Sequence, residues 1–101
     1  MQLLSILRMA SGASLWRGLD YVEQRRVKNL RPAGEGAFDA EVEGSANLPY
    51  TVHVDTARVR QSYCDCPYAA GTRRICKHMV ATVFAAYPQQ IDAFKWEVEQ
   101  A

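Results

Sequence analysis

Three cysteines and one histidine lie within fifteen residues: Cys64-Asp65-Cys66-Pro67 and, with nine residues between Cys66 and Cys76, Cys76-Lys77-His78. They include every cysteine of the chain and one of its two histidines. Three thiolates and an imidazole make a complete tetrahedral donor set for zinc, with Zn–S near ~2.3 Å and Zn–N near ~2.0 Å. Both halves are two-residue steps. Side chains two apart in an extended segment share a face, so Cys64 and Cys66 can converge on an ion from the end of a strand that Pro67 terminates. Cys76 and His78 open a helix, with Cys76 at or just before its first turn, where free N–H groups and the positive dipole end favour thiolate. Arg73, Arg74 and Lys77 offset a site in which three thiolates and a divalent ion sum to one negative charge.

Three unligated core cysteines are the competing reading, because cysteine is a common core residue, but that leaves their clustering with a histidine unexplained. A disulfide framework is disfavoured by the odd count and by the poor placement of Cys64 against Cys66. Four protein ligands leave no open coordination position, so the site reads as structural rather than catalytic. Iron is the other metal that tetrahedral sulfur-rich sites commonly hold.

Cys-x-Cys-x9-Cys-x-His, with proline after the second cysteine and an apolar helix after the histidine, resembles the SWIM zinc finger. The resemblance extends upstream through Arg17-Gly18-Leu19-Asp20-Tyr21 and Glu23-Gln24-Arg25-Arg26-Val27, similar to the segment before the finger in bacterial SWIM proteins, and covers roughly residues 12 to 87. The family usually carries a glycine near the position of Arg25. Membership would imply binding to DNA or to proteins, in the company of Swi/Snf-type ATPases, transposases and recombination factors.

The elements that must position these ligands follow from periodicity. Leu15, Leu19 and Val22 at helical spacing predict a helix from Ser14 to about Arg26. Gly18 in its middle costs about 1 kcal/mol against alanine, which implies a close packing neighbour. Val27 to Leu30 reads as a short strand and Pro32 to Gly36 as a turn. Phe38, Ala40 and Val42 alternate with Asp39, Glu41 and Glu43, giving a half-buried strand with an acidic outer face. Tyr50, Val52 and Val54 repeat that pattern and send His53 outward, an ordinary exposed residue with a role as alternative ligand as the lesser reading. A last strand, Arg58 to Tyr63, is expected to lead directly into Cys64. Pro67 to Ile75 is a loop of small and basic residues. A helix then runs through Met79, Val80, Val83, Phe84 and Tyr87 to Pro88. A C-terminal helix follows from about Gln89 to Glu99, either folding back over the sheet or presenting Phe94 and Trp96 to a partner.

The whole is an α+β fold: N-terminal helix, small antiparallel meander, zinc site, helix, and C-terminal helix. Residues 1–13 form an N-terminal segment, 14–87 the zinc-binding domain and 88–101 the C-terminal helix. The N-terminal Leu3, Leu4, Ile6 and Leu7 lack a preceding basic region and are interrupted by Arg8, unlike a secretory signal. Reduced thiols suit the cytoplasm, and no stretch approaches membrane-spanning length.

With 101 residues and 49% hydrophobic content, the chain suits one small folded domain in which a metal supplements a limited core. A formal charge of +1 gives no global argument for nucleic acid, so any such surface must be local. No catalytic constellation or nucleotide motif is present, and the expectation is a binding module, not an enzyme. One reading is nucleic-acid binding through Arg58, Arg60, Arg73, Arg74 and Lys77, with Arg58 and Arg60 on one strand face and Tyr63 or Tyr68 available to stack. The alternative is a protein-interaction adaptor for a separately encoded ATPase or nuclease, docking through a sheet edge or through Phe94 and Trp96.

Overall fold

The structure, a computed structural model, describes residues 2–100. Four helices and four strands follow in the order α1 (Ser5–Arg8), α2 (Gly12–Glu23), β1 (Val27–Pro32), β2 (Ala37–Val42), β3 (Tyr50–Asp55), β4 (Tyr63–Cys64), α3 (Lys77–Ala86) and α4 (Gln89–Gln100). The strands form the expected antiparallel meander in the order β1-β2-β3-β4. Register is fixed by apolar residues on the covered face: Val42, Val52 and Val54 are fully buried, with Ala40↔Val52 and Val52↔Cys64 as cross-strand partners.

Helix α3 is the centre of the molecule. His78 through Phe84 are all buried, because the sheet covers one side and α1, α2 and α4 cover the other. A helix apolar on every side has to be enclosed. Helix α2 starts two residues before the expected Ser14, because the Ser11 hydroxyl caps it by accepting from the Ser14 N–H at 3.1 Å. It ends in a Schellman turn: Arg25 N–H donates to Val22 O and Arg26 N–H to Tyr21 O, with Arg25 in the left-handed region at φ 58°. That backbone is the one glycine adopts most easily, which accounts for the glycine usual there in the resembling family.

Gly18 has the close neighbour its position implied. An added Cβ would lie 2.6 Å from Val80 Cβ and 3.1 Å from the Lys77 carbonyl oxygen, so the glycine lets α2 lie directly against the start of α3.

Four expectations are corrected. β1 runs on to Pro32, with Asn29 at φ 53° marking a register shift against β2. The strand expected at Arg58 to Tyr63 is a 3-10 turn over Val59–Gln61 followed by only two strand residues. Its cause is Asp55, whose carboxylate accepts from the Ala57 and Arg58 N–H groups at 3.0 and 2.8 Å and curls the chain off the sheet. His53 points outward but is not an ordinary exposed residue: its Nδ1 is 2.6 Å from Asp39 Oδ1 and its ring stacks on Tyr63. Finally, Phe94 is buried against Trp16 and Phe84, so α4 packs on the helical layer rather than on the sheet and does not offer Phe94 to a partner. Trp96 stays 49% exposed.

The N-terminal leucines and Ile6 belong to this layer. Ile6 and Leu7 are fully buried, and the Gln90 side chain ties the segment to α4 by accepting from Leu4 N–H at 2.8 Å and donating to Gln2 O at 3.1 Å. No helix among the described residues is long and apolar enough to cross a membrane.

Candidate metal centre

The meander and α3 bring the four ligands together. Cys64 ends β4, and Cys66 follows in a turn whose carbonyl accepts from Ala69 and Ala70 N–H. Cys76 is the N-cap of α3 in extended conformation and His78 lies in the first turn. One donor atom from each of Cys64, Cys66, Cys76 and His78 lies within 4.8 Å of all the others, and no ligand residue is more than 4% exposed. His78 Nδ1 is 3.8 Å from both Cys64 Sγ and Cys76 Sγ, close to the ~3.6 Å edge that ordinary Zn–S and Zn–N lengths give a tetrahedron. All three cysteines are free thiols, so none of the sulfur is committed to a disulfide. The donor set and its spacing fit one structural Zn²⁺, held through three Sγ atoms and His78 Nδ1. Such an ion would cross-link the sheet, the loop and α3.

Proton sharing within the cluster points the same way. Cys76 is lowered to about 4, because its thiolate accepts from the Cys64 thiol and lies beside His78, against the opposing cost of burial. Cys64 is raised, first because its proton holds the Cys76 charge and then because it is buried; Cys66 is raised chiefly by burial. Four buried donors that can support only one charge by sharing protons are suited to a divalent cation.

The imidazole is positioned by aromatic contacts rather than by a second hydrogen bond. Tyr50 and Tyr21 flank it at centroid distances of 4.6 and 5.5 Å, and Nε2 is buried without a hydrogen-bond partner. Gly44 closes this slot: a Cβ there would meet Tyr50 Cε2 at 2.6 Å and His78 Nε2 at 3.2 Å. From the sequence, Tyr50 is expected only as an alternating strand residue, Tyr21 only as part of the upstream resemblance, and Gly44 only as the start of a turn. No local pattern connects three residues so far apart in the chain to one histidine ring.

Residues 50–87 match the family model of the SWIM zinc finger. The matched stretch is similar to a SWIM zinc finger. It holds all four metal ligands, β3, β4 and α3, while the upstream similarity through α2 lies outside the matched residues. No curated protein and no solved structure matches the chain.

Around the matched finger the five predicted cations separate. Arg60 and Arg73 line one groove together with Tyr63. Lys77 lines a second with Arg17 and Tyr68, and Arg74 lies over the Tyr68 ring at 5.0 Å. Arg58 lines a third, beside Glu35 and Asp55. Arg58 and Arg60 therefore do not share a strand face, because the segment that carries them is the 3-10 turn. Lys77 Nζ also lies 5.0 Å from the Tyr21 ring centroid, the ring that flanks His78.

Proposed function

We propose that this protein is a nucleic-acid-binding module organised by its zinc site. One observation carries the reading: among the described residues, every ion pair to a lysine or arginine uses Arg8, Lys28, Arg31 or Lys95, and none uses the cations around the finger. Arg60, Arg73, Arg74 and Lys77 have only Asp65 as a carboxylate neighbour in residues 56–88, and Asp65 is engaged with the Thr51 N–H at 2.9 Å, whereas Arg58 lies beside Glu35 and Asp55 and adds least to the surface. Unpaired cations in a near-neutral chain make a local positive surface suited to phosphate. The zinc fixes the loop that carries two of them, so the patch depends on the metal. Reduced zinc thiolates make the cytoplasm the fitting compartment.

A protein partner is the second reading, favoured by the exposed Trp96 on α4; an ATPase or recombination factor is the kind of partner the resemblance suggests. Salt dependence separates the two. For the zinc-loaded protein and a mixed-sequence oligonucleotide, affinity should fall steeply with salt, and Arg73→Ala with Arg74→Ala should reduce the log–log slope by about 2 without changing sequence preference. Salt-insensitive binding, or an unchanged slope in the folded double variant, would count against this surface.

A further inference from the structure

Between the 3-10 turn with β4 and the zinc loop lies the groove that contains Arg60, Arg73 and Tyr63. Val59, Ile75 and Met79 give it an apolar base, and no carboxylate lines it. Tyr63 is 55% exposed, yet it is braced. Its ring stacks on His53 at 5.8 Å with 25° between the planes, and His53 is held in turn by Asp39. These three residues are successive cross-strand partners, Asp39↔His53 and His53↔Tyr63, so the brace is built into the register of β2, β3 and β4.

A tyrosine that only meets solvent has no need of such a support. An aromatic ring that presents a face to a flat ligand gains from it, because ordering the ring beforehand removes that cost from binding. The groove combines this ring with an apolar wall and two cations that have no acidic partner. A planar, apolar-faced group carrying anionic flanks matches that chemistry.

We propose that this groove is a slot for one unpaired nucleotide, its base stacked on Tyr63 against the apolar wall and its flanking phosphates on Arg60 and Arg73. The inference rests on the nucleic-acid reading above and narrows it to single-stranded or frayed strands. A base inside a duplex has both faces occupied and must be unstacked before it can enter. Stacking accepts any base, so sequence preference should be weak. The slot also gives the Asp39–His53 pair a purpose: it positions Tyr63 and does not touch the ligand.

The test compares oligothymidylate with a mixed duplex of equal length on the zinc-loaded protein, by fluorescence anisotropy. The single strand should bind more tightly. Tyr63→Ala should weaken it by about tenfold or more while leaving duplex affinity unchanged; Tyr63→Phe should retain binding, and His53→Ala should lose part of it. Since Tyr63 adjoins a zinc ligand, a second readout uses the unmutated protein: its Tyr63 ring proton resonances should shift when oligothymidylate is added. Equal single-strand affinity in Tyr63→Ala, or an unshifted ring, with salt-dependent duplex binding intact, would overturn the slot alone. Absence of salt-dependent binding to either oligonucleotide would overturn the slot and the nucleic-acid reading together.

Discussion

Replacing Gly18 with alanine sets two effects against each other on one residue. In the interior of α2 the change gains about 1 kcal/mol of helix propensity. Against it stands the contact with α3, where the new Cβ would lie 2.6 Å from Val80 Cβ and 3.1 Å from the Lys77 carbonyl oxygen. Carbon atoms pack at about 3.5–4.0 Å, so the two helices must part by roughly 1 Å. Val80 is fully buried and the Lys77 oxygen is backbone, so neither can swing aside. The cost belongs at the upper end of the ~1–3 kcal/mol range for overpacking. Sterics win by about 2 kcal/mol, and thermal unfolding of the zinc-loaded protein, followed by circular dichroism, should show a Tm about 10 °C lower. Gly18→Ala combined with Val80→Ala should be less destabilised than the sum of the single changes, because the second substitution removes the clash. A Gly18→Ala protein melting at or above the parent temperature would refute the reasoning.

The other predictions concern the turn, the slot and the protons. Arg25→Gly relieves the left-handed C-terminal residue of α2 and should stabilise by roughly 0.5–1 kcal/mol, read as a Tm rise of about 4 °C; a fall in Tm would contradict it. Gly44→Ala drives Tyr50 and His78 apart and should lower zinc affinity by about tenfold or more in chelator competition, with unchanged affinity as the adverse result. Zinc binding should release thiol protons, because the donors ligate as thiolates and burial raises Cys64 and Cys66. Protons compete for Cys64 and Cys66, so affinity should fall as pH falls. Calorimetry in buffers of different ionisation heat counts those protons, and pH-independent binding with no proton release would contradict thiolate ligation.

The metal ligands were legible because they are close in sequence and few residue types can do their chemistry. Gly18 was legible for a related reason, since a helix carries an interior glycine at a cost that only a near neighbour offsets. What escaped depends on register and on long-range packing. Alternation was extended over Arg58 to Tyr63, but one carboxylate, Asp55, diverts the backbone there through two short hydrogen bonds. His53 was placed on the correct face, yet its pairing with Asp39 follows from strand register, which composition does not reveal. The same holds for the outer carboxylates: Glu41 is not simply solvated, and is held below the usual range by hydrogen bonds from Asn29 and then Arg31. For Phe94 and Trp96 the sequence leaves open whether the helix folds back or presents them to a partner, and only the position of Trp16 and Phe84 decides that Phe94 is covered. The slot around His78 is assembled from α2, the turn before β3, and β3 itself, and no window of sequence contains it.

Metal content by elemental analysis, with thiol titration before and after chelator, tests the central claim most directly. The four-donor cluster predicts one zinc per chain and three thiols protected until the metal is removed. Folded protein without metal, its three thiols reacting at once, would contradict it.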